Sequence, residues 1–310
     1  MYHNLLRDAD YTPDQWLAGG EPESVFKAHL KVLTDFCRVT SVEQAMVEIR
    51  SGGLKENTIA VTLDDGYLSA YEIAFPLFRK HSVSATVYLP TDWINGKMTM
   101  WWETFGDIVR SSDIGEIDRG KIDLILKKYD ADPVFETGVV CKTKMEFNER
   151  VAFSLMKLSD SARWTAIEEL KPVILGDSEL IITRAVPCSW EQIREMSDAG
   201  IKFGAHTCSH LNLSHTSLDQ AEREIAASKE EIEQRLGVTV TGFAYPYGYD
   251  PHGYVRFGSI LDRLGFDYAV TSWWGLNFDQ TDRFILHRDA LPMETSLPLI
   301  KRGLYQIISQ

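Results

Sequence analysis

Short apolar runs recur along this sequence, each followed by a stretch with helical spacing, and that alternation constrains the fold more than any other feature. The clearest run is TIAVTL over 58–63, short, β-branched and apolar, as a strand covered on both faces requires. Similar runs lie at 36–39, 85–89 (ATVYL), 201–204, 242–245 and 268–271. Between and beside them, 24–35, 42–50, 70–80, 190–199, 219–236 and 255–264 read as amphipathic helices. Gly52-Gly53 ends the second of these, Pro76 should bend the third, and Ser189 is placed to cap the fourth. Strands separated by helices of this length imply right-handed crossovers and a parallel sheet. Six such units predict an α/β fold, a distorted (β/α) barrel whose functional face lies at the C-terminal ends of the strands.

The 310 residues suit one barrel with an insertion. The stretch 97–186 supplies that insertion, since it contains no good strand but has helical spacing over 122–129, 146–158 and 162–170. The sequence therefore predicts a single domain, 1–310, whose helical insertion needs the barrel for burial, covers one side of the cleft and sets substrate choice. The net charge of −13 argues against nucleic acid, whose binders carry basic patches, and against an anionic membrane surface. No run approaches the ~18 apolar residues of a transmembrane span. The four cysteines form no C-x-x-C pair and read as reduced thiols. Residues 1–10 (MYHNLLRDAD) lack a basic region followed by an apolar run. The expected location is cytoplasmic.

Two motifs carry chemistry. Asp64-Asp65-Gly66 follows the strand over 58–63, and adjacent carboxylates at the end of an apolar strand are costly unless something positive sits between them. Taken alone, Asp-Gly is equally a polar turn. His206-Thr207-Cys208-Ser209-His210 follows the strand over 201–204, and histidines at i and i+4 share one face if that turn is helical. A pair of capping histidines would look the same. Together the motifs fall on one face of the barrel and offer one carboxylate and two imidazoles. That set suits zinc, with cobalt, nickel or manganese as alternatives, and leaves positions open for hydrolytic chemistry. The spare aspartate is then available as a base. Cys208, at i+2 from His206, would point elsewhere. Phe243-Ala244-Tyr245-Pro246-Tyr247-Gly248 follows a third strand and could aim a backbone N–H at an oxyanion. Trp273-Trp274 follows the strand over 268–271 and offers indole faces to a sugar, whereas Trp101-Trp102 reads as packing.

These motifs resemble the polysaccharide deacetylase family of carbohydrate esterases, which is marked by T-F-D-D-G, H-[ST]-x-x-H and R-x-P-Y. Here they stand as Thr62-Leu63-Asp64-Asp65-Gly66, His206-Thr207-Cys208-Ser209-His210 and Ala244-Tyr245-Pro246-Tyr247. The resemblance spans about 58–90 and 186–290, and the insertion points to an exopolysaccharide-type subgroup. It implies metal-dependent hydrolysis of the N-acetyl group of an N-acetylhexosamine in a saccharide. By position, it makes Asp64 the base, Asp65, His206 and His210 the metal ligands, and the Tyr247 N–H the oxyanion donor. His287, in Ile285-Leu286-His287, takes the place of the general acid. Ala244 stands where many members carry an arginine that steadies the base, and Arg288 is the candidate substitute. His3 lies where the family often has a histidine near the site. Two other readings compete. One is a metal-free cyclic amide or ureide hydrolase on the same barrel, which the retained ligand set disfavours. The other is a carbohydrate-binding protein on an inactive scaffold, which Asp64 argues against.

Overall fold

The computed structural model describes residues 1–11, 20–55, 57–135, 138, 140–183, 185–291 and 293. Two short strands, β1 (Leu5–Leu6) and β2 (Glu21–Pro22), pair in parallel with each other. The main sheet follows, with β3 (Arg38–Thr40), β4 (Thr58–Leu63), β5 (Ala85–Leu89), β6 (Lys202–Ala205), β7 (Gly242–Ala244) and β8 (Tyr268–Val270) adjacent in that order and all parallel. Helices supply the crossovers, as the βαβ rule demands. They include α1 (Glu23–Phe36), α2 (Val42–Arg50), α3 (Phe75–His81), the single turn α4 (Thr91–Ile94), and, after the insertion, helices over 190–198, 218–236, 251–254 and 258–263. The strands over 58–63 and 85–89 match their predicted bounds, because both runs are short, apolar and covered. Every residue of β5 is buried.

Helix 70–80 is not continuous. Residues Ala70–Ala74 form a π-turn in which the Phe75 N–H reaches back five residues to the Ala70 carbonyl, and α3 starts only then, with Pro76 in its first turn. Pro76 has no N–H to give and its ring crowds the preceding turn. The chain therefore widens ahead of it instead of kinking at it.

Two short extended segments join the ends of the sheet. Tyr2 bridges Leu63 of β4, with Tyr2 N–H to Thr62 O at 2.9 Å and Asp64 N–H to Tyr2 O at 2.9 Å. Leu286 bridges Val270 of β8, and Thr271 N–H, Leu286 N–H and Arg288 N–H continue that ladder at 2.8, 3.0 and 3.0 Å. The Met1 nitrogen donates to the Asp289 carbonyl at 2.8 Å, so these two segments meet. The parallel strands thus curl into a distorted barrel with a seam between β4 and β8. Inside it Tyr88, Ala244, Tyr268, Val270 and Leu286 pack against Val42 and Met46 of α2. Glycines make the room, since a Cβ at Gly204 would sit 2.4 Å from the Tyr88 ring and one at Gly242 2.2 Å from the Tyr268 hydroxyl.

The chain divides into two units, one of Met1–Ala9, Glu21–Met98 and Val186–Gln310, the other of Asp10–Gly20 and Thr99–Ala185. The second unit holds α5 (Trp101–Ser111), α6 (Arg119–Lys128), α7 (Lys144–Met156) and α8 (Asp160–Leu175), and no strand among its described residues. Helix α5 packs on α7 and α8, and α6 on α8. Their buried stripes include Phe105, Ile122, Phe147, Val151 and Ile167. Fully buried Arg163 donates to the carbonyls of Leu155 and Leu158 at the end of α7, and its guanidinium lies 5.1 Å from the Trp101 ring. Three of these helices overlap the predicted ones. The fourth, α5, was visible in the sequence only as the packed pair Trp101-Trp102. In the remaining barrel helices, α9 (Trp190–Asp198) carries the expected Ser189 cap, completed into a capping box by Gln192. It is followed by α10 (Leu218–Leu236).

Candidate active site

Strand β4 ends in three buried residues, and the two aspartates that follow are buried as well. Asp64 remains in the ladder through its amide, but Asp65 turns to a left-handed backbone with φ of 70°. That reversal sends successive carboxylates to different surroundings.

The Asp65 carboxylate faces two imidazoles, with Oδ1 3.7 Å from His206 Nε2 and 3.5 Å from His210 Nε2. The ligand atoms of these three buried residues all lie within 4.8 Å of one another, close enough to hold one ion. His206 follows β6, and its Nδ1–H donates to the Ala244 carbonyl at 2.7 Å. A carbonyl only accepts, so the Nε2 lone pair is the one turned toward Asp65, the arrangement of a metal-ligating histidine. Burial pushes the His206 imidazole down to about 4, against the opposing charge of Asp64, so the ring is neutral at pH 7.

The segment 206–210 is not helical. Thr207 and His210 take left-handed conformations, with φ of 61° and 53°, and this brings the rings to 4.8 Å centroid separation at 81°. Sequence spacing therefore finds the pair, but a folded-over turn, not a helix face, makes the rings converge. Glu224 of α10 fastens the turn by accepting the N–H groups of Cys208 and Ser209, both at 2.9 Å, and the Ser209 hydroxyl at 3.0 Å. The first turn of α4 fastens it from the other side, through Thr91 N–H to Thr207 O and Asp92 N–H to Cys208 O. The Cys208 thiol is aimed at the Glu224 carbonyl. No local pattern marks Glu224 in the sequence, where it is one more acid on an acidic helix.

Asp64 meets Arg288. The guanidinium grips both carboxylate oxygens at 2.7 Å, and it also donates from Nε to Thr271 O at 2.7 Å and to Thr62 Oγ1 at 3.2 Å. Burial alone would raise the Asp64 carboxyl, but the charge and hydrogen bonds of Arg288 hold it well below the usual carboxylate range. Arg288 thus reaches Asp64 from the seam, while position 244 contributes its carbonyl to His206. His3 Nε2 lies 3.9 Å from Asp64 Oδ2.

Tyr247 has φ of 66°, and its ring centroid is 5.0 Å from that of His210. Trp273 and Trp274, beyond β8, are 40% and 62% exposed. His287 sits between Leu286, which packs inside the barrel, and Arg288, which reaches Asp64. In an extended ladder its side chain takes the opposite face. Its ring stands against Gly275, and its backbone is paired with the Asn277 side chain at 2.8 and 2.9 Å.

The parallel barrel thus carries at its strand ends a carboxylate and two imidazoles that could hold a metal ion, with a second carboxylate clamped beside them. The sequence profile of the family "Polysaccharide deacetylase" matches residues 177–269. The putative polysaccharide deacetylase YxkH of Bacillus subtilis (strain 168) is 30% identical over 70 residues, 22% of this chain and 25% of that protein. The chain thus matches a quarter of the length of that curated relative. Among solved structures, the Streptococcus pyogenes deacetylase PplD in complex with acetate superposes with a TM-score of 0.62 at 17% identity, covering 99% of this chain and 96% of that one. The de-N-acetylase from Aggregatibacter actinomycetemcomitans follows at 0.56 and 14%, covering 97% of each chain. IcaB from Ammonifex degensii gives 0.55 and 18%, covering 97% and 94%. At these identities the likeness is one of fold. No helix among the described residues is long and apolar enough to cross a membrane.

Proposed function

We propose that this chain hydrolyses the N-acetyl group of an N-acetylhexosamine within a saccharide, releasing acetate and a free amine. The observation that carries this reading is the contrast between neighbouring carboxylates, Asp65 facing two imidazoles and Asp64 clamped by Arg288. Asp65, His206 and His210 would hold a divalent metal, zinc by the chemistry of the donor set. When bound, such an ion polarises the acetyl carbonyl and acidifies water. Asp64, ionised at neutral pH, accepts the proton of the attacking water, and Arg288 fixes the direction of its lone pairs. The C–N bond then breaks, and the departing amine takes a proton. The 3.9 Å approach to Asp64 supports His3 as the group that delivers it, in place of His287, whose side chain takes the opposite face of its ladder. The Tyr247 N–H serves the oxyanion. The exposed faces of Trp273 and Trp274 suit a pyranose ring.

The test is mass spectrometry of a panel of N-acetylated oligosaccharides incubated with zinc-loaded protein, together with metal analysis. Loss of one acetyl mass per reacting sugar, with one metal per chain, is expected. Hydrolysis of cyclic amides without metal, or saccharide binding with no acetate released, would replace this reading with one of its two competitors.

A further inference from the structure

Two tyrosines stand inside the barrel, and the reaction drawn above uses neither. Tyr88 of β5 and Tyr268 of β8 are fully buried, in the space left by Gly204 and Gly242. Their hydroxyls form a chain whose direction is set at one end. The Glu43 carboxylate, in the first turn of α2, accepts from the Tyr268 hydroxyl at 2.6 Å. The Tyr268 oxygen accepts in turn from the Tyr88 hydroxyl at 3.1 Å. Thr86 Oγ1 donates to the second Glu43 oxygen at 3.3 Å.

The far end of this chain is Arg288. Its edges are engaged by Thr271, Thr62 and Asp64, which leaves its flat face, and the guanidinium carbon lies 5.6 Å from the Tyr88 ring centroid. A phenol that donates toward an anion gains electron density, and an electron-rich ring attracts a cation over its face more strongly. Glu43, remote from the metal ligands in sequence, is thereby linked to the group that aims the base.

We propose that Glu43, Tyr268 and Tyr88 are positioning residues for the deacetylation. The hydroxyl chain fixes the Tyr88 ring under Arg288, and the ring fixes the guanidinium plane that orients Asp64. This inference rests on the reading of Asp64 as the base. A purely structural role for the tyrosines would affect folding and substrate binding, but would leave the guanidinium rigid and kcat intact in any variant that folds.

The experiment pairs a spectroscopic readout with kinetics. In 15N spectra of the zinc-loaded protein, the two Nη nitrogens of Arg288, assigned by their loss in Arg288→Lys, should give separate signals because the group cannot rotate. Tyr88→Leu should merge those signals and lower kcat by roughly tenfold at unchanged KM. Tyr88→Phe, which keeps the ring, should restore separate signals and most of kcat. Glu43→Gln and Tyr268→Phe do not touch Arg288, and each should lower kcat by about two- to threefold at unchanged KM. These two variants carry the test if Tyr88→Leu does not fold. Separate signals in a folded Tyr88→Leu protein, a Tyr88→Phe protein no better than Tyr88→Leu, or wild-type kcat in Glu43→Gln would each overturn the proposal. If wild-type protein releases no acetate from any saccharide, the proposed function fails, while the Arg288 spectra still decide whether the relay exists.

Discussion

Asp64 and Asp65 are successive residues with different surroundings, and the proposed function gives them separable tasks that substitution should divide. Asp64→Asn keeps the shape but cannot accept a proton, so kcat should fall by on the order of 10²–10⁴ with metal content near one per chain. Asp65→Asn should weaken metal binding first, and His206→Ala should abolish it. Metal analysis beside kinetics reads both, and the opposite pattern would reverse the two assignments. Arg288→Ala leaves the Asp64 charge buried and unmatched, and should cost about 3–5 kcal/mol in urea unfolding. Adding Asp64→Asn to it should recover much of that loss, because the stranded charge is then gone. The Asp64-Asp65-Gly66 and His206/His210 pairs were legible in the sequence, since each is a local pattern at the end of a strand. Arg288 was legible only as a candidate for a gap in a motif. Nothing local ties it to an aspartate 224 positions away.

Among the elements, the turn over 206–210 shows how a site is built by residues that never touch the chemistry. Glu224 satisfies two of its amides and one hydroxyl from the neighbouring helix. Glu224→Ala should free the turn and weaken zinc affinity by roughly 10–100-fold, the usual effect of removing an outer support. Competition with a chromophoric chelator measures it, and unchanged affinity would show that α4 alone suffices. The six strands of the main sheet were predicted to within a residue or two because burial selects short apolar runs, whereas the two-residue strands β1 and β2 were not. The π-turn before Pro76 and the left-handed residues of the histidine turn were not. Proline announces a disturbance but not its form. The choice of φ above zero at Thr207 and His210 is made by contacts from β5, α4 and α10, which a linear pattern does not contain.

For the whole molecule, folding and protonation are linked, and the proposed metal would join them. Burial depresses His206 from 6.5 to about 4 in the metal-free protein, so the fold favours the neutral ring. Its contribution to stability is therefore full above about pH 6.5 and is lost as the pH falls toward 4. Thermal melts of metal-free protein should show this decline, and His206→Gln should flatten it. A curve unchanged by the substitution would assign the acid sensitivity elsewhere. Zinc at 100 times its dissociation constant should add about 2.7 kcal/mol and make the melting temperature depend on zinc concentration. The seam has a kinetic consequence. Asp64 and Arg288 come together only when the ladders on β4 and β8 have both formed, across nearly the full length of the barrel unit. Closing so long a loop is slow, whereas helices and neighbouring βαβ units assemble early. On dilution from urea, recovery of acetate release should lag behind recovery of the far-ultraviolet circular dichroism signal. The interval between them is the lifetime of a barrel that has its helices and strands but whose Asp64 is not yet held by Arg288.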